Sequence, residues 1–149
     1  MNPPLPAYKN TYNPGLVHRL KRSGCRFGQH VEKTLLECPR SVDPIGPREL
    51  FRTECITDRI THKTICEKAL SVGLQYLTPF ALEPIIVDLL NNQTTHDLKI
   101  FLGMRPVMTS FGVPMIFVLF QSQTNITIIV RNALDHEQHS PHEIWLFAR

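Results

Sequence analysis

The side chains best able to do chemistry are gathered in nine residues near the C-terminus, Asp135-His136-Glu137-Gln138-His139-Ser140-Pro141-His142-Glu143. Neutral imidazole and carboxylate are the usual nitrogen and oxygen ligands of divalent transition metals, so His136, His139 and His142 are candidate ligands for a small metal-dependent hydrolase. The spacing departs from the zincin pattern H-E-x-x-H, which sets its histidines four apart; His136 and His139 are three apart. With Pro141 inside it and an apolar run on either side, the segment reads more simply as a solvated loop between two strands.

Four cysteines, Cys25, Cys38, Cys55 and Cys66, offer nucleophiles. They contain no C-x-x-C pair and lie too far apart for a zinc knuckle or a dense disulfide framework, so free thiols are expected. Cys55 and Cys66 sit among apolar neighbours, as small buried hydrophobes do. Cys25 is the most reactive on charge grounds, because Arg22 and Arg26 flank it and favour its thiolate. Neither a phosphate-cradling G-x-x-x-x-G-K-[ST] nor a dinucleotide-binding G-x-G-x-x-G occurs. No cofactor is therefore expected, and the chain reads as non-enzymatic.

Charge supplies the remaining signal. The first thirty residues hold Lys9, Arg19, Lys21, Arg22 and Arg26 with no acid, while the rest of the chain holds eleven basic and thirteen acidic residues. A net charge of +3 thus hides a strongly positive N-terminal end and a slightly negative remainder. Arg19, Lys21, Arg22 and Arg26 are the residues expected to contact nucleic acid or an anionic membrane surface, with Tyr12 and Phe27 placed to stack on bases or enter a headgroup layer. The competing reading is a solvated tail that aids solubility.

Pro3-Pro4-Leu5-Pro6-Ala7-Tyr8 and Tyr12-Asn13-Pro14-Gly15-Leu16 resemble the P-P-x-Y and Y-P-x-L peptides with which viral matrix and Gag proteins recruit host budding machinery. Both depart from the pattern. Tyr8 stands two positions late, and Tyr12 lacks an adjacent proline. What the likeness implies is limited to a proline-rich peptide able to dock in an aromatic groove through its preformed polyproline II shape.

The elements that must position these residues follow from periodicity and punctuation. Four prolines in residues 1–15 point to an extended segment, Leu16–Leu20 suggests a short turn of helix, and residues 1–28 together are read as a basic, proline-rich N-terminal arm ahead of a single α+β domain over 29–149. Loose alternation over His30–Glu37 suggests a first strand. Pro39, Pro44, Gly46 and Pro47 mark a loop, and Pro47 with Glu49 favours a helix over 47–55, against a competing strand reading that the threonine and isoleucine of Ile56–Ile65 support, so that residues 50–66 stay open between the two. A second helix begins near Thr61, with Ile65, Leu70 and Val72 inward and Glu67 and Lys68 outside. Thr78 and Pro79 start a third, whose Leu82, Ile85, Ile86, Leu89 and Leu90 form a buried stripe that Asn91 and Asn92 end. Lys99–Gly103, Pro114–Gln121, Ile126–Arg131 and Ile144–Phe147 read as strands, the middle two as a hairpin. Met115–Phe120 has no polar alternation, so both its faces must be covered.

The expected fold is α+β, two or three helices packed on a C-terminal, mainly antiparallel sheet. No apolar run reaches the length of a membrane span, and Pro3, Pro4 and Pro6 stand where a secretory signal needs an apolar stretch, so an intracellular site, cytoplasmic or nuclear, is expected. Without a signal, the two N-x-T sequons at Asn92 and Asn125 read as chance matches. The expected function is a binding or assembly protein, of the kind found among small viral structural or accessory proteins. Its arm would contact nucleic acid or an anionic surface, and its body would contact a protein partner or a second copy of itself. The alternatives are the hydrolase built on the loop 135–143 and a scaffold that contacts protein alone.

Overall fold

The computed structural model describes residues 13–38, 47–56, 59–92, 97–123, 125–134 and 137–149. Its fold is α+β. In chain order come helix α1 (Asn13–Arg22), strand β1 (Arg26–Phe27), helix α2 (Val31–Glu37), strand β2 (Arg48–Arg52), a 3-10 turn (Thr53–Cys55), helix α3 (His62–Ser71), a 3-10 turn (Pro79–Ala81) and helix α4 (Leu82–Asn91). Strands β3 (Leu98–Leu102), β4 (Val107–Met108), β5 (Pro114–Ser122), β6 (Asn125–Asn132) and β7 (Ile144–Ala148) complete one mixed sheet, ordered β1-β6-β5-β3-β7-β2, with β4 also on β5. The β1–β6 and β3–β7 pairs are parallel and the other pairs antiparallel. The sheet is not confined to the C-terminal half, because β1 and β2 form its two ends. Among the described residues no helix is long and apolar enough to cross a membrane.

The run Ile116–Leu119 is buried on both faces, as its lack of alternation requires. Cross-strand register assigns the faces. Phe51, Trp145, Phe101 and Val118 lie in one row and so share a face; Leu146, Ile100 and Leu119 occupy the other. The His62 ring of α3 lies 5.8 Å from that of Trp145, which sets α3 on the first face. On the second, Gln121 of β5 donates from Nε2 to the Leu89 carbonyl at 3.1 Å, satisfying one of the last carbonyls of α4, which the helix itself leaves free. Leu82, Ile85 and Ile86 carry the buried stripe of α4, as their spacing predicts.

Three segments differ from the sequence expectation. Residues 31–37 are helix rather than strand: Val31, Thr34, Leu35 and Cys38 are the buried positions, and their 3, 4, 7 offsets are those of one helix face. Residues 48–52 are strand rather than helix. Phe51 pairs with Trp145 and sets its ring edge-on to Phe147 at 6.0 Å, while the Pro47 carbonyl accepts from Arg149 N at 2.8 Å; pairing with β7 overrides the helix-start signal. From Asn13 onward the expected N-terminal arm is part of the folded body, because the helix expected at Leu16–Leu20 runs over Asn13–Arg22 with Leu16, Val17 and Leu20 buried in the core, and β1 pairs with β6. Residues 1–12, with both tyrosines of the arm, and the loop 39–46 lie outside the described residues.

Helix α3 starts where expected. Thr61 accepts from Thr64 N and the Thr64 hydroxyl accepts from Thr61 N, a reciprocal cap worth about 1 kcal/mol. Ile65 is buried, but Leu70 and Val72 face solvent, since Cys66 and Ala69 fill the inward positions instead. The hairpin forms as predicted, with Ser122 paired to Asn125.

Gly103, just past β3, is where packing allows no side chain. A Cβ there would stand 2.4 Å from two carbons of the buried Phe147 ring. Gly103→Ala is expected to cost roughly 1–3 kcal/mol through overpacking. Gly112→Ala meets no neighbour within 4 Å and pays only for its positive φ of 79°. Thermal melting of both variants checks the order; equal losses would show that the Phe147 ring yields freely.

Candidate functional site

The four basic residues expected to act together are separated by their elements. Leu20 of α1 points into the core, so Arg19 and Lys21 leave the helix about 100° to either side of it. Arg19 reaches Glu83 of α4 at 2.9 Å, and Lys21 pairs with Glu32 of α2. Arg22 and Arg26 are exposed and make no ion pair among the described residues. Arg26 and Phe27 are successive strand residues, so they point to opposite faces of the sheet. Three cations in the last turn of α1 complement the negative end of the helix dipole, and Gly24 at φ 91° ends the helix with its N–H on the Lys21 carbonyl.

Between α1, β1 and α2 lies an open groove of about 600 Å³, lined by Lys21, Phe27, His30, Glu32, Lys33 and Leu36 with Gly28. Gly28 lets β1 approach β6 closely, its N–H donating to the Ile128 carbonyl at 2.8 Å and its missing Cβ standing 3.0 Å from Ile129. The Lys21 ammonium is 5.8 Å from the Phe27 ring centre. Phe111, in the turn between β4 and β5 and 43% exposed, stands beside the groove, 5.5 Å from the His30 ring and 5.3 Å from the Lys33 ammonium. The turn is tied to α2 by Ser110 N, which donates to Glu37 at 2.9 Å.

The histidine segment is solvated only in part: Gln138, Ser140, Pro141 and His142 are exposed, as expected of a loop, but His139 and Glu143 turn inward. His139 is buried, and its Nδ1 lies 2.8 Å from Glu143 Oε1. Trp145 Nε1 donates to the same oxygen at 3.3 Å, while Ser140 N and Arg131 Nη1 donate to Oε2 at 3.2 and 3.4 Å. Burial by itself would raise the Glu143 carboxyl. The His139 hydrogen bond and charge, the Ser140 N–H and the Arg131 guanidinium outweigh it and hold the group below its ordinary value. Thr53 closes the cluster, accepting from Glu143 N at 2.9 Å and donating to the Ser140 carbonyl at 2.8 Å. His139 Nε2 is buried with no hydrogen-bond partner among the described residues and is hemmed by the Phe101 and Trp145 rings. The pair has the form of an oriented general base, but that nitrogen is buried rather than open to solvent.

Among the candidate metal ligands, His142 is exposed, His139 is committed to Glu143, and His136 lies outside the described residues. Among the described residues no three His, Cys, Asp or Glu side chains come together to hold a metal ion. One cysteine–histidine pair does form, and the sequence spacing could have suggested it: Cys66 and His62, four apart on α3, with Sγ 3.5 Å from Nε2. That nitrogen also lies 3.1 Å from the Met104 carbonyl, to which it can only donate, so it cannot take the thiol proton. Burial pushes the Cys66 and Cys38 thiols up to about 12. The thiolate expected at Cys25 is disfavoured too, because burial raises the thiol more than its Ser23 contact lowers it. Cys25, Cys38 and Cys66 are free thiols.

Compared with protein-family models, curated proteins and solved structures, the chain matches none.

The Glu143 cluster carries a pH dependence. A carboxyl held below its ordinary 4.5 in the folded state stabilises the fold above that pH and loses the contribution as pH falls through the lower folded value. Glu143→Gln should flatten this part of the acid-unfolding curve and cost about 1–3 kcal/mol at neutral pH, since the buried donors lose their charged acceptor. Urea melts at a series of pH values read both effects, and an unchanged acid limb would show that Glu143 is not the titrating group.

Proposed function

We propose that this chain is a non-enzymatic binding and assembly protein whose basic N-terminal end contacts a phosphate-bearing partner, nucleic acid before an anionic membrane surface. The observation that carries the reading is the charge of the α1–β1–α2 end: over residues 13–38, five cationic side chains stand against two carboxylates. Ion pairs satisfy Arg19 and Lys21, which leaves Arg22, at the end of α1, and Arg26 as exposed positive charge with no ion-pair partner among the described residues. The partly exposed Phe27 ring beside Lys21 adds an apolar surface of the kind that bases stack on. The burial of His139 against Glu143 supports a structural rather than a catalytic role for that pair.

The body's contacts would run along β2. It is the terminal strand of the sheet, its neighbour β7 lies inside, and Leu50 is 49% exposed on it, a combination that favours pairing with a protein partner or a second copy.

Arg22→Ala with Arg26→Ala should leave the melting temperature unchanged and reduce the salt dependence of nucleic-acid binding. The slope of log K against log salt should shrink by about 1.5, the share of two phosphate contacts. Titrations with nucleic acid and, in parallel, with phosphatidylserine vesicles measure this. Binding that ignores both substitutions overturns the reading, and binding to vesicles alone moves it to a membrane surface.

A further inference from the structure

We propose that the groove between α1, β1 and α2 is a binding site for single-stranded nucleic acid, with an unpaired base stacked on Phe111 and adjoining phosphates at Lys33 and Lys21. The proposal rests on the phosphate-binding reading above and adds to it a place and a kind of strand.

The first observation is the pairing of ring and charge. Phe111 and Phe27 each carry a lysine ammonium between 5 and 6 Å from the ring centre, one beside the groove and one in its wall. Stacking on an aromatic ring requires a base with a free face, which a duplex does not offer, and the neighbouring ammonium groups meet the backbone on either side. A bilayer is a poorer match. It is flat, whereas the groove is concave with a volume of about 600 Å³, and its two lysines line the concavity.

The second observation is His30. It has φ 68° and ψ 0°, the left-handed region that glycine occupies at no steric cost. It stands at the N-cap of α2 yet makes no capping hydrogen bond, so the imidazole does nothing for the helix it begins. What its position does is turn an exposed ring toward Phe111, beside Lys33. The His30 carbonyl accepts from Thr34 N and Oγ1, so the backbone serves the helix while the ring is left at the groove. The imidazole, tilted 53° to the Phe111 ring, walls the stacking position on one side and donates a hydrogen bond to a phosphate or base edge.

Glu32 sits in the same groove and pairs with Lys21, both side chains about half exposed. An exposed pair of this kind contributes little to stability. An arriving phosphate competes with Glu32 for Lys21, so removing the carboxylate should strengthen binding. That is an outcome a merely structural groove would not give.

The test is fluorescence anisotropy with the full chain and a short labelled poly-dT or poly-U strand, a duplex of equal length and phosphatidylserine vesicles as comparators, and a melting curve for each variant. The single strand should bind more tightly than the duplex. Phe111→Ala should weaken it about tenfold, the worth of one stacked base. Glu32→Gln should tighten it severalfold, and Lys33→Ala should weaken it and flatten its salt dependence. His30→Gly should weaken binding while the melting temperature stays near the parent's, because glycine accepts the backbone conformation; this separates loss of contact from loss of fold. If Phe111→Ala, His30→Gly and Glu32→Gln all leave affinity unchanged while Arg22→Ala with Arg26→Ala reduces it, the groove is not the site and the broader phosphate-binding reading stands. A preference for duplex, or binding to vesicles alone with loss in Phe111→Ala, also overturns the single-strand assignment.

Discussion

Trp145 is the side chain around which the described fold is arranged. Its indole stacks on Phe101 at 5.1 Å and on Phe147 at 6.4 Å, receives the edges of His139 and His62, and donates from Nε1 to Glu143. A fully buried indole needs an acceptor for its single N–H. Here the acceptor is a carboxylate, and a buried carboxylate in turn needs several donors of its own. Arg131 from β6, Ser140 and His139 from the last loop supply them, and Thr53 from the turn after β2 fixes the loop backbone. One aromatic residue thus ties together β2, β3, β6, β7, α3 and the segment 137–143. The polar network exists because the apolar column contains an N–H.

The same requirement explains why so little chemistry is available on that face. Imidazole next to carboxylate, and thiol next to imidazole, are combinations that can be nucleophiles and bases. In both pairs the nitrogen facing the reactive direction is either enclosed by rings or already bonded to a main-chain carbonyl. Removal from water raises the thiols and isolates the imidazole. Burial, which supplies the stability, withholds the reactivity.

Some of this was legible from residue order. The unbroken apolar run of β5 dictated layers on both faces, the threonine before α3 dictated its start, and the 3, 4 spacing of α4 dictated which side faced inward. The failures share one cause, that periodicity in a short segment is ambiguous. Seven residues at 31–37 satisfy a loose alternation and a helical stripe equally, and the buried Thr34 was decisive only once its neighbours were known. At 48–52 proline followed by an acid is a sound local signal for a helix, but the exposed backbone edge of β7 needed a partner and Phe51 needed the Trp145 row. The role of His139 was invisible because it depends on Thr53 and Arg131, which are distant in sequence and come together only through the sheet. Arg19, Lys21, Arg22 and Arg26 looked like one cluster, since sequence proximity says nothing of the angle between successive helix positions.

That dispersal sharpens what the basic end means. Each positive charge can be asked first what it does for the fold. Arg19 and Lys21 clasp α1 to α4 and α2, and the whole last turn of α1 offsets the helix dipole. Arg48 reaches Asp88 on α4, and Arg149 reaches Glu49 on β2, in the same manner. Arg22 and Arg26 have no such partner among the described residues, and His30 pays a backbone cost without capping its helix. All three fall between Arg22 and His30, at the β1 end of the sheet. Arg22 still offsets the helix dipole and the His30 ring still packs on Phe111, so what these residues leave over is exposed positive charge, on which the proposed phosphate-binding reading draws.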